Sequence, residues 1–554
     1  MIYIKNLCCI FGLLVISMTC ACNKPAHVES FPEGVAGADA APAKLELELT
    51  LDLDNVVGTI DGLCYGVNEA LIPESPFRRM GGNRMTGYNW EINSSSAGAD
   101  YKHISDRWLN ELVGLEEGDG SPAAWILENL VQHLGESADS LVTVPMAGYV
   151  VADANGAVSR SKTAPSNRWV KVEPKKPGGD FGAPDLGDGK VYVDEQVAWL
   201  VSNAGTAAQG GIKYYSLDNE PSIWSDTHPR LHPKKTGYKE VADKSIATAD
   251  AVLSVDPGAE IVGPALYGWN GHVSLQNAPE NNRFNKTHGS FSAYYLSRMR
   301  KASEKSGKRL LHLFDFHWYP EATGGGIRIA LGDGGNVVTD EVVEARLQAP
   351  RSLWDPTYLE NSWITQKNGG QPIKLIPRMQ KIIKDNYPGT RFAILEYNYG
   401  AGHHFSGGLA TADVLGIFGR YGVAGCLWRV GEKNDFEKAA FRLYLNYDGK
   451  GSRFEENAIG VPFTVPQRES IYAACSKDKK TLTVVLINKQ SRNVLNKRIR
   501  LKGIQGVPAI RAFRFGPGYS DLRQVSENLV PNEGGFEIKC PPHTATLVEL
   551  KNTP

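Results

Sequence analysis

Between Ile60 and Val430 the chain repeats one pattern, a short apolar run followed by a longer stretch whose apolar residues recur with helical spacing. Eight strand candidates result: Ile60 to Asn68, Phe77 to Gly82, Leu141 to Val150, Ile212 to Asn219, Glu260 to Leu266, Leu311 to Tyr319, Arg391 to Tyr397 and Val423 to Val430. Helical patterns lie between several of them, at Asp194 to Asn203, Tyr238 to Ser254, Phe291 to Lys305, Leu375 to Asn386 and Gly408 to Tyr421. Strands that alternate with helices pair in parallel, because each return crossing is long enough to be a helix. Eight such steps predict an α/β fold, a (β/α)8 TIM barrel with long inserted loops. The doubly wound alternative lacks a Gly-x-Gly-x-x-Gly turn after its first strand, and no phosphate-loop lysine is found.

The flanks read differently. Leu45 to Asp54 alternates strictly, with all five leucines on one face. A strand with one wet face suits an antiparallel sandwich better than a barrel covered on both sides. Partners are available at Thr481 to Asn488, Lys497 to Leu501, Ala509 to Phe515, Gly535 to Lys539 and Thr544 to Leu550. The expected organisation is a signal over 1–22, a tether over 23–44, an N-terminal sandwich strand over 45–56, the barrel over 57–435 and a C-terminal antiparallel β-sandwich over 436–554.

The signal consists of Lys5, the apolar run Leu7 to Met18, and Thr19-Cys20-Ala21-Cys22. The run is too short to span a bilayer. A Cys after a small residue at its end marks a lipoprotein signal, with Cys22 a better lipidation site than Cys20. Export follows as an expectation, to the outer membrane or cell surface through a lipid anchor, with simple secretion as the alternative. Beyond this segment Cys64, Cys426, Cys475 and Cys540 are widely scattered. That spacing supports neither a disulfide framework nor a Cys metal site. The 60 basic and 61 acidic residues balance, so no long-range field draws the protein to nucleic acid. A partner without net charge is the better match, and a monomer is expected.

In such barrels the reactive groups sit where strands end. The fourth candidate ends Ser216-Leu217-Asp218-Asn219-Glu220-Pro221, and the seventh ends Leu395-Glu396-Tyr397. Each puts a Glu where an apolar run stops, on opposite sides of one mouth. Facing carboxylates are what glycosidic bond hydrolysis needs, one giving a proton to the leaving oxygen and one serving as nucleophile or base. Taken singly, each is as readily a solvated loop carboxylate. The sixth strand adds His317-Trp318-Tyr319 and the second adds Arg78-Arg79, an arginine that can accompany a nucleophilic carboxylate. All eleven Trp lie between Trp90 and Trp428. Sugar rings pack on aromatic faces, so Trp90, Trp224, Trp269, Trp318, Trp354, Trp363 and Trp428 are candidates for a cleft lining, with ordinary core packing as the competing use.

These segments resemble glycoside hydrolase family 44, the endoglucanases and xyloglucanases. The resemblance rests on Met80-Gly81-Gly82-Asn83 with Tyr88-Asn89-Trp90, Leu217 to Pro221 running on to Thr227-His228-Pro229-Arg230, His317-Trp318-Tyr319-Pro320, Arg351 to Tyr358, Glu396-Tyr397 and Tyr447-Asp448-Gly449-Lys450-Gly451, and spans about residues 45 to 550. It implies a barrel plus a sandwich built from both chain ends. It implies further a retaining endo-β-1,4-glucanase or xyloglucanase, with Glu220 as acid/base and Glu396 as nucleophile. Arg79, Asn89, Trp90, Asn219, Trp224, His317, Trp318, Tyr319, Trp354, Tyr397 and Trp428 make up the expected substrate-binding set, with Asn219 toward the sugar 2-hydroxyl and Tyr319 toward the nucleophile. The same machinery acting on xylan or mannan is one alternative, and a non-catalytic glycan-binding lipoprotein is another.

Metal signals are weak. His228 and His232 have helical ligand spacing, but Pro229 and Pro233 argue against a helix there. Asp185 and Asp188 lie in a Gly-rich loop that fails the twelve-residue calcium pattern, and a turn is the simpler reading. No cofactor is required by this chemistry, and a structural calcium stays open.

Overall fold

The computed structural model describes residues 48–551 apart from 69–71, 135–138, 331–332, 429, 464, 504–507 and 528. The signal, the tether, Cys22 and Leu45 to Leu47 therefore lie outside the described residues.

Eight parallel strands close into a barrel. In chain order they are β1 (Gly66–Val67), β2 (Phe77–Met80), β3 (Asp139–Val144), β4 (Tyr214–Leu217), β5 (Glu260–Tyr267), β6 (Leu313–His317), β7 (Arg391–Tyr397) and β8 (Ala424–Leu427), each falling on one predicted run. Side chains from alternate positions fill the barrel interior, among them Phe77, Leu141, Tyr214, Val262, Leu313, Leu395 and Cys426. The helices Val193–Ala204, Tyr238–Val255, Phe291–Ser306, Leu375–Asn386 and Phe405–Tyr421 cover the outside. Most strands are shorter than their predicted runs, and two depart from them further. The first is mostly a 3-10 turn, Gly62–Tyr65, whose Leu63 amide is capped by Asp61. The third stops at Val144 because Pro145 follows, and Tyr149–Val151 forms a separate strand paired with Trp169–Glu173.

The C-terminal region forms two sheets. One has four strands, Glu48–Asp52, Leu495–Lys502, Gly535–Cys540 and Leu529–Asn532 in spatial order. The other has seven, with Val56–Thr59 at one edge and Tyr519–Val525 at the other. The N-terminal strand joins this region as its alternation predicts, with Leu49, Leu51 and Leu53 buried. Its pairing with Leu495–Lys502 is parallel, so that sheet is mixed, an orientation open to a segment that arrives from a distant part of the chain with no hairpin to constrain it. Val56–Thr59, pairing antiparallel with Asn457–Ile459, was not legible as a strand. The strand Thr481–Asn488 carries the unbroken apolar run Val484 to Ile487 because both its faces are buried: Leu482, Val484 and Leu486 enter the sandwich core, and Val485 and Ile487 join the core that packs against the barrel. Cys64, Cys426, Cys475 and Cys540 are buried and none of them is in a disulfide.

Candidate active site

Both glutamates leave their strands through irregular backbone, which is what aims them. After β4 the chain takes left-handed conformations at Asp218 (φ 64°) and Glu220 (φ 46°), uncommon for residues with a Cβ. The fully buried carboxylate of Asp218 holds this turn. Its Oδ1 accepts from the Thr86 hydroxyl at 2.6 Å and the Asn219 amide at 2.7 Å, and its Oδ2 from the amides of Met146 and Ala147 at 2.6 and 3.0 Å. On β7 the pairing register with β8 shifts between Ile394 and Tyr397. A bulge of this kind turns a side chain to the other face. Leu395 stays in the interior layer, Glu396 points into the mouth, and Tyr397 turns outward onto Phe418.

Four strand ends converge on the two carboxylates. Arg79 donates Nη1 to Glu396 Oε1 at 2.8 Å and to Asn68 Oδ1 at 2.8 Å, and Nη2 to Asn219 Oδ1 at 3.0 Å. The Tyr319 hydroxyl donates to Glu396 Oε2 at 2.9 Å. His317 Nδ1 lies 2.8 Å from Glu220 Oε1 and 3.4 Å from Glu396 Oε2. A carboxylate oxygen of Glu220 and one of Glu396 lie within 4.8 Å of each other. Burial pushes the Glu220 carboxyl above its ordinary range, and Glu396 adds to this, while His317 and Arg79 work against it. Burial works against a charged His317, but Glu396, Asp315 and Glu220 outweigh it and push the ring up to about 10. The geometry of Glu220, His317 and Glu396 could also hold a cation. Arg79 and His317 already supply positive charge there, so these donors fit an acid/base pair better than a metal.

The comparisons with known proteins agree with this geometry. Residues 94–322 match the model of glycoside hydrolase family 44. The chain is 41% identical over 544 residues to endoglucanase A of Paenibacillus lautus, covering 97% of this chain and 75% of that one. The chain belongs to glycoside hydrolase family 44. Among solved structures, a Paenibacillus polymyxa xyloglucanase of this family superposes with a TM-score of 0.86 at 40% identity, covering 91% of this chain and 99% of that one. The family 44 endoglucanase of Clostridium thermocellum gives 0.86 at 41% identity, with the same coverage.

In this family 44 enzyme the predicted site residues divide. Glu220, Glu396, Arg79, Asn219, His317 and Tyr319 come together at the mouth. Trp428 follows β8, half-buried, and lies so close to Gly82 that a Cβ there would be 2.3 Å from the ring. Tyr319, with Tyr267, Trp269 and Trp363, lines an adjoining cavity of about 110 Å³, whereas Trp318, which also borders it, is 1% exposed and stacks on Phe316. Five other expectations are corrected. Trp90 and Trp224 have no accessible surface and cannot stack on a sugar. Trp224 is a strut instead, its indole N–H donating to the Asn219 carbonyl at 3.0 Å. Asn89 is used up internally, donating to the Val151 carbonyl and accepting from the Glu91 amide. Trp354 stacks on Phe463 at 3.9 Å between ring centres, where the barrel meets the sandwich. Tyr397 faces Phe418 because of the bulge.

Asn68, Thr86, Asp218 and Asp315 were not singled out by sequence reasoning. Two signals were available, since Asn68 closes the first strand run as Glu220 follows the fourth, and Asp315 shares the face of His317 by strand alternation. His228 and His232 have separate partners, the Asn83 carbonyl and Glu240. Asp185 and Asp188 accept amides of their own turn.

Proposed function

We propose that this glycoside hydrolase is a retaining endo-β-1,4-glucanase that acts on xyloglucan and related β-1,4-glucans, with Glu220 as acid/base and Glu396 as nucleophile. The observation that carries the reading is the approach of one oxygen of Glu220 and one of Glu396 to within 4.8 Å, with His317 Nδ1 in reach of both. Retaining enzymes hold the two carboxyl groups about 5 to 5.5 Å apart, whereas inverting ones leave roughly 6.5 to 9.5 Å for a water. Glu396 attacks the anomeric carbon as Glu220 protonates the departing oxygen, and water then enters with Glu220 as base. The ion pair with Arg79 and the Tyr319 hydrogen bond orient the nucleophile. Asn219 is fixed through its Oδ1 and can donate its Nδ2 to the sugar 2-hydroxyl as positive charge develops on the ring.

The glucan preference is supported by the relatives, one described as an endoglucanase and another as a xyloglucanase. The signal and Cys22 support export with a lipid anchor, which suits a polymer too large to enter a cell. The test is product stereochemistry. Proton NMR of the initial product from reduced cello-oligosaccharides should show the β-anomer, and Glu396→Gly should lose turnover and regain it with azide as the α-glycosyl azide. Parent-like activity of Glu396→Gly without azide would show the assignment to be wrong. A panel of xyloglucan, carboxymethylcellulose, xylan and mannan ranks the substrates.

A further inference from the structure

We infer that Asp315 is a positioning residue for the second half of the reaction: by taking the Nε2–H of His317 it keeps Nδ1 aimed at Glu220 and sustains the charge on the ring while Glu396 is tied up as an ester. The inference rests on the retaining reading above.

Asp315 and His317 are two positions apart on β6 and so point to the same side. Neither is open to solvent, at 0% and 1% exposure. Asp315 Oδ1 accepts the Leu395 amide at 3.0 Å, the N–H next to the bulge. Asp315 Oδ2 and His317 Nε2 are both buried without a hydrogen-bond partner, and they face each other at 3.5 Å. A buried charge with no partner is costly, so each accounts for the other. A small rotation of the ring converts this ion pair into a hydrogen bond.

The charges around the ring change during the reaction. At rest His317 faces Glu220 from the turn after β4, Glu396 from β7 and Asp315 from its own strand. Arg79 from β2 holds the far oxygen of Glu396, the Tyr319 phenol holds the near one, and Tyr267 from β5 stands by Glu220. In the first half-reaction Glu396 bonds to the anomeric carbon, the bond to the leaving chain breaks, and that oxygen takes the proton of Glu220. Glu396 is then a neutral ester and Glu220 an anion. Arg79 has lost its counter-charge and now repels an imidazolium. Among the described residues, Asp315 becomes the one anion besides Glu220 against the ring. In the second half-reaction water bonds to the anomeric carbon and gives its proton to Glu220, while the ester bond returns its electron pair to Glu396. A charged, correctly turned His317 stabilises the Glu220 carboxylate that serves as base.

Asp315→Asn keeps the volume and removes the charge. A 2,4-dinitrophenyl β-cellobioside needs no acid for its first step, so its turnover reports on the second. The variant should show a pre-steady-state burst, with kcat and KM falling together by about 10-fold or more, the range seen when a group orienting a reactive ligand is removed. Azide, which needs no base, should raise turnover and yield the glycosyl azide of retained configuration. The alkaline limb of kcat should move to lower pH, because loss of a neighbouring anion makes the ring give up its proton earlier. Parent kcat, no azide effect and an unmoved limb would overturn the inference and leave the retaining reading standing, whereas an inverted product from the parent would remove that reading itself. Should Asp315→Asn not fold, nitrogen-15 NMR of the parent trapped as its 2-fluoroglycosyl ester decides. Both ring nitrogens of His317 protonated at pH 7 is the expected result, and a neutral ring refutes the inference.

Discussion

Arg79 on β2 and Glu396 on β7, 317 positions apart in the chain, meet at 2.8 Å in the mouth of the barrel with almost no exposure of either side chain. The same guanidinium reaches Asn68 and Asn219, so one planar cation ties together the ends of β1, β2, β4 and β7. Arg79→Met should leave the Glu396 carboxylate buried without its cation, which costs about 3 to 5 kcal/mol in comparable buried pairs. We expect kcat/KM on xyloglucan to fall about 100-fold or more, as when a preorganised electrostatic group is lost, together with a lower urea midpoint. Arg79→Lys should recover little, because a single ammonium cannot match the planar fork that serves three oxygens.

Glu220 is held above the ordinary carboxyl range, first by burial and then by Glu396. It therefore stays protonated to a higher pH than a solvated glutamate. The proton donor is present below its folded value and is lost as pH rises through it, so Glu220 sets the alkaline limb of kcat/KM on polysaccharide. Glu220→Gln should abolish polysaccharide turnover yet keep the first step on a dinitrophenyl glycoside, which needs no acid, so kcat/KM of the parent on that substrate should lack the limb. The same limb on both substrates would assign it to another group.

Much of this was legible in the sequence, and the parts that were not share a cause. The eight strand runs and the glutamates at two of their ends could be read because periodicity and chain position are local. Trp90, Trp224 and Trp354 misled because an indole in a long loop looks the same whether it faces a sugar or a neighbouring helix. Trp224 is buried against Asp218, His232 and Lys244, contacts that the turns between them create and that no periodicity around residue 224 spells out. Tyr397 misled for a subtler reason: a one-residue shift in register reverses the face of every residue beyond it, and no feature of Ile394 to Tyr397 announces the shift.

Gly82 takes φ 90°, and a Cβ there would stand 2.3 Å from the Trp428 ring. Gly82→Ala must strain the backbone and also displace the ring. We expect a loss of about 1 to 3 kcal/mol in stability and a rise in KM larger than the fall in kcat, since the displaced Trp428 stands at the mouth end of β8. Denaturant titration and steady-state kinetics on xyloglucan oligosaccharides check both.

Two buried histidines should make the fold acid-sensitive above the range in which carboxylates titrate. Burial first, with Arg378 adding to it, depresses His272 to about 3, and burial depresses His228 to about 4. Both lie below the unfolded value near 6.5, so the unfolded chain binds more protons as pH falls. Their stabilisation is complete above pH 6.5 and declines below it, by about 1.4 kcal/mol per pH unit for each histidine until its folded value is reached. Urea midpoints measured from pH 7 to 4.5 should fall, and His272→Gln should flatten the slope.

The barrel and the sandwich are joined by a buried ion pair. Lys489, just past the strand Thr481–Asn488, donates to Asp413 on the helix Phe405–Tyr421 at 2.7 Å, with 2% exposure on each side. The Tyr472 hydroxyl takes the other oxygen of Asp413 at 2.5 Å, and Lys489 also reaches the Pro466 carbonyl. Such a pair adds little over apolar residues of the same shape, but breaking it leaves a stranded charge. Lys489→Met alone should therefore cost about 3 kcal/mol or more, whereas Lys489→Met with Asp413→Leu should regain much of that loss. Neither change touches the mouth, so kcat below the melting range should hold. A double variant no more stable than Lys489→Met would mean that the pair itself, and not the avoidance of a lone buried charge, holds the two regions together.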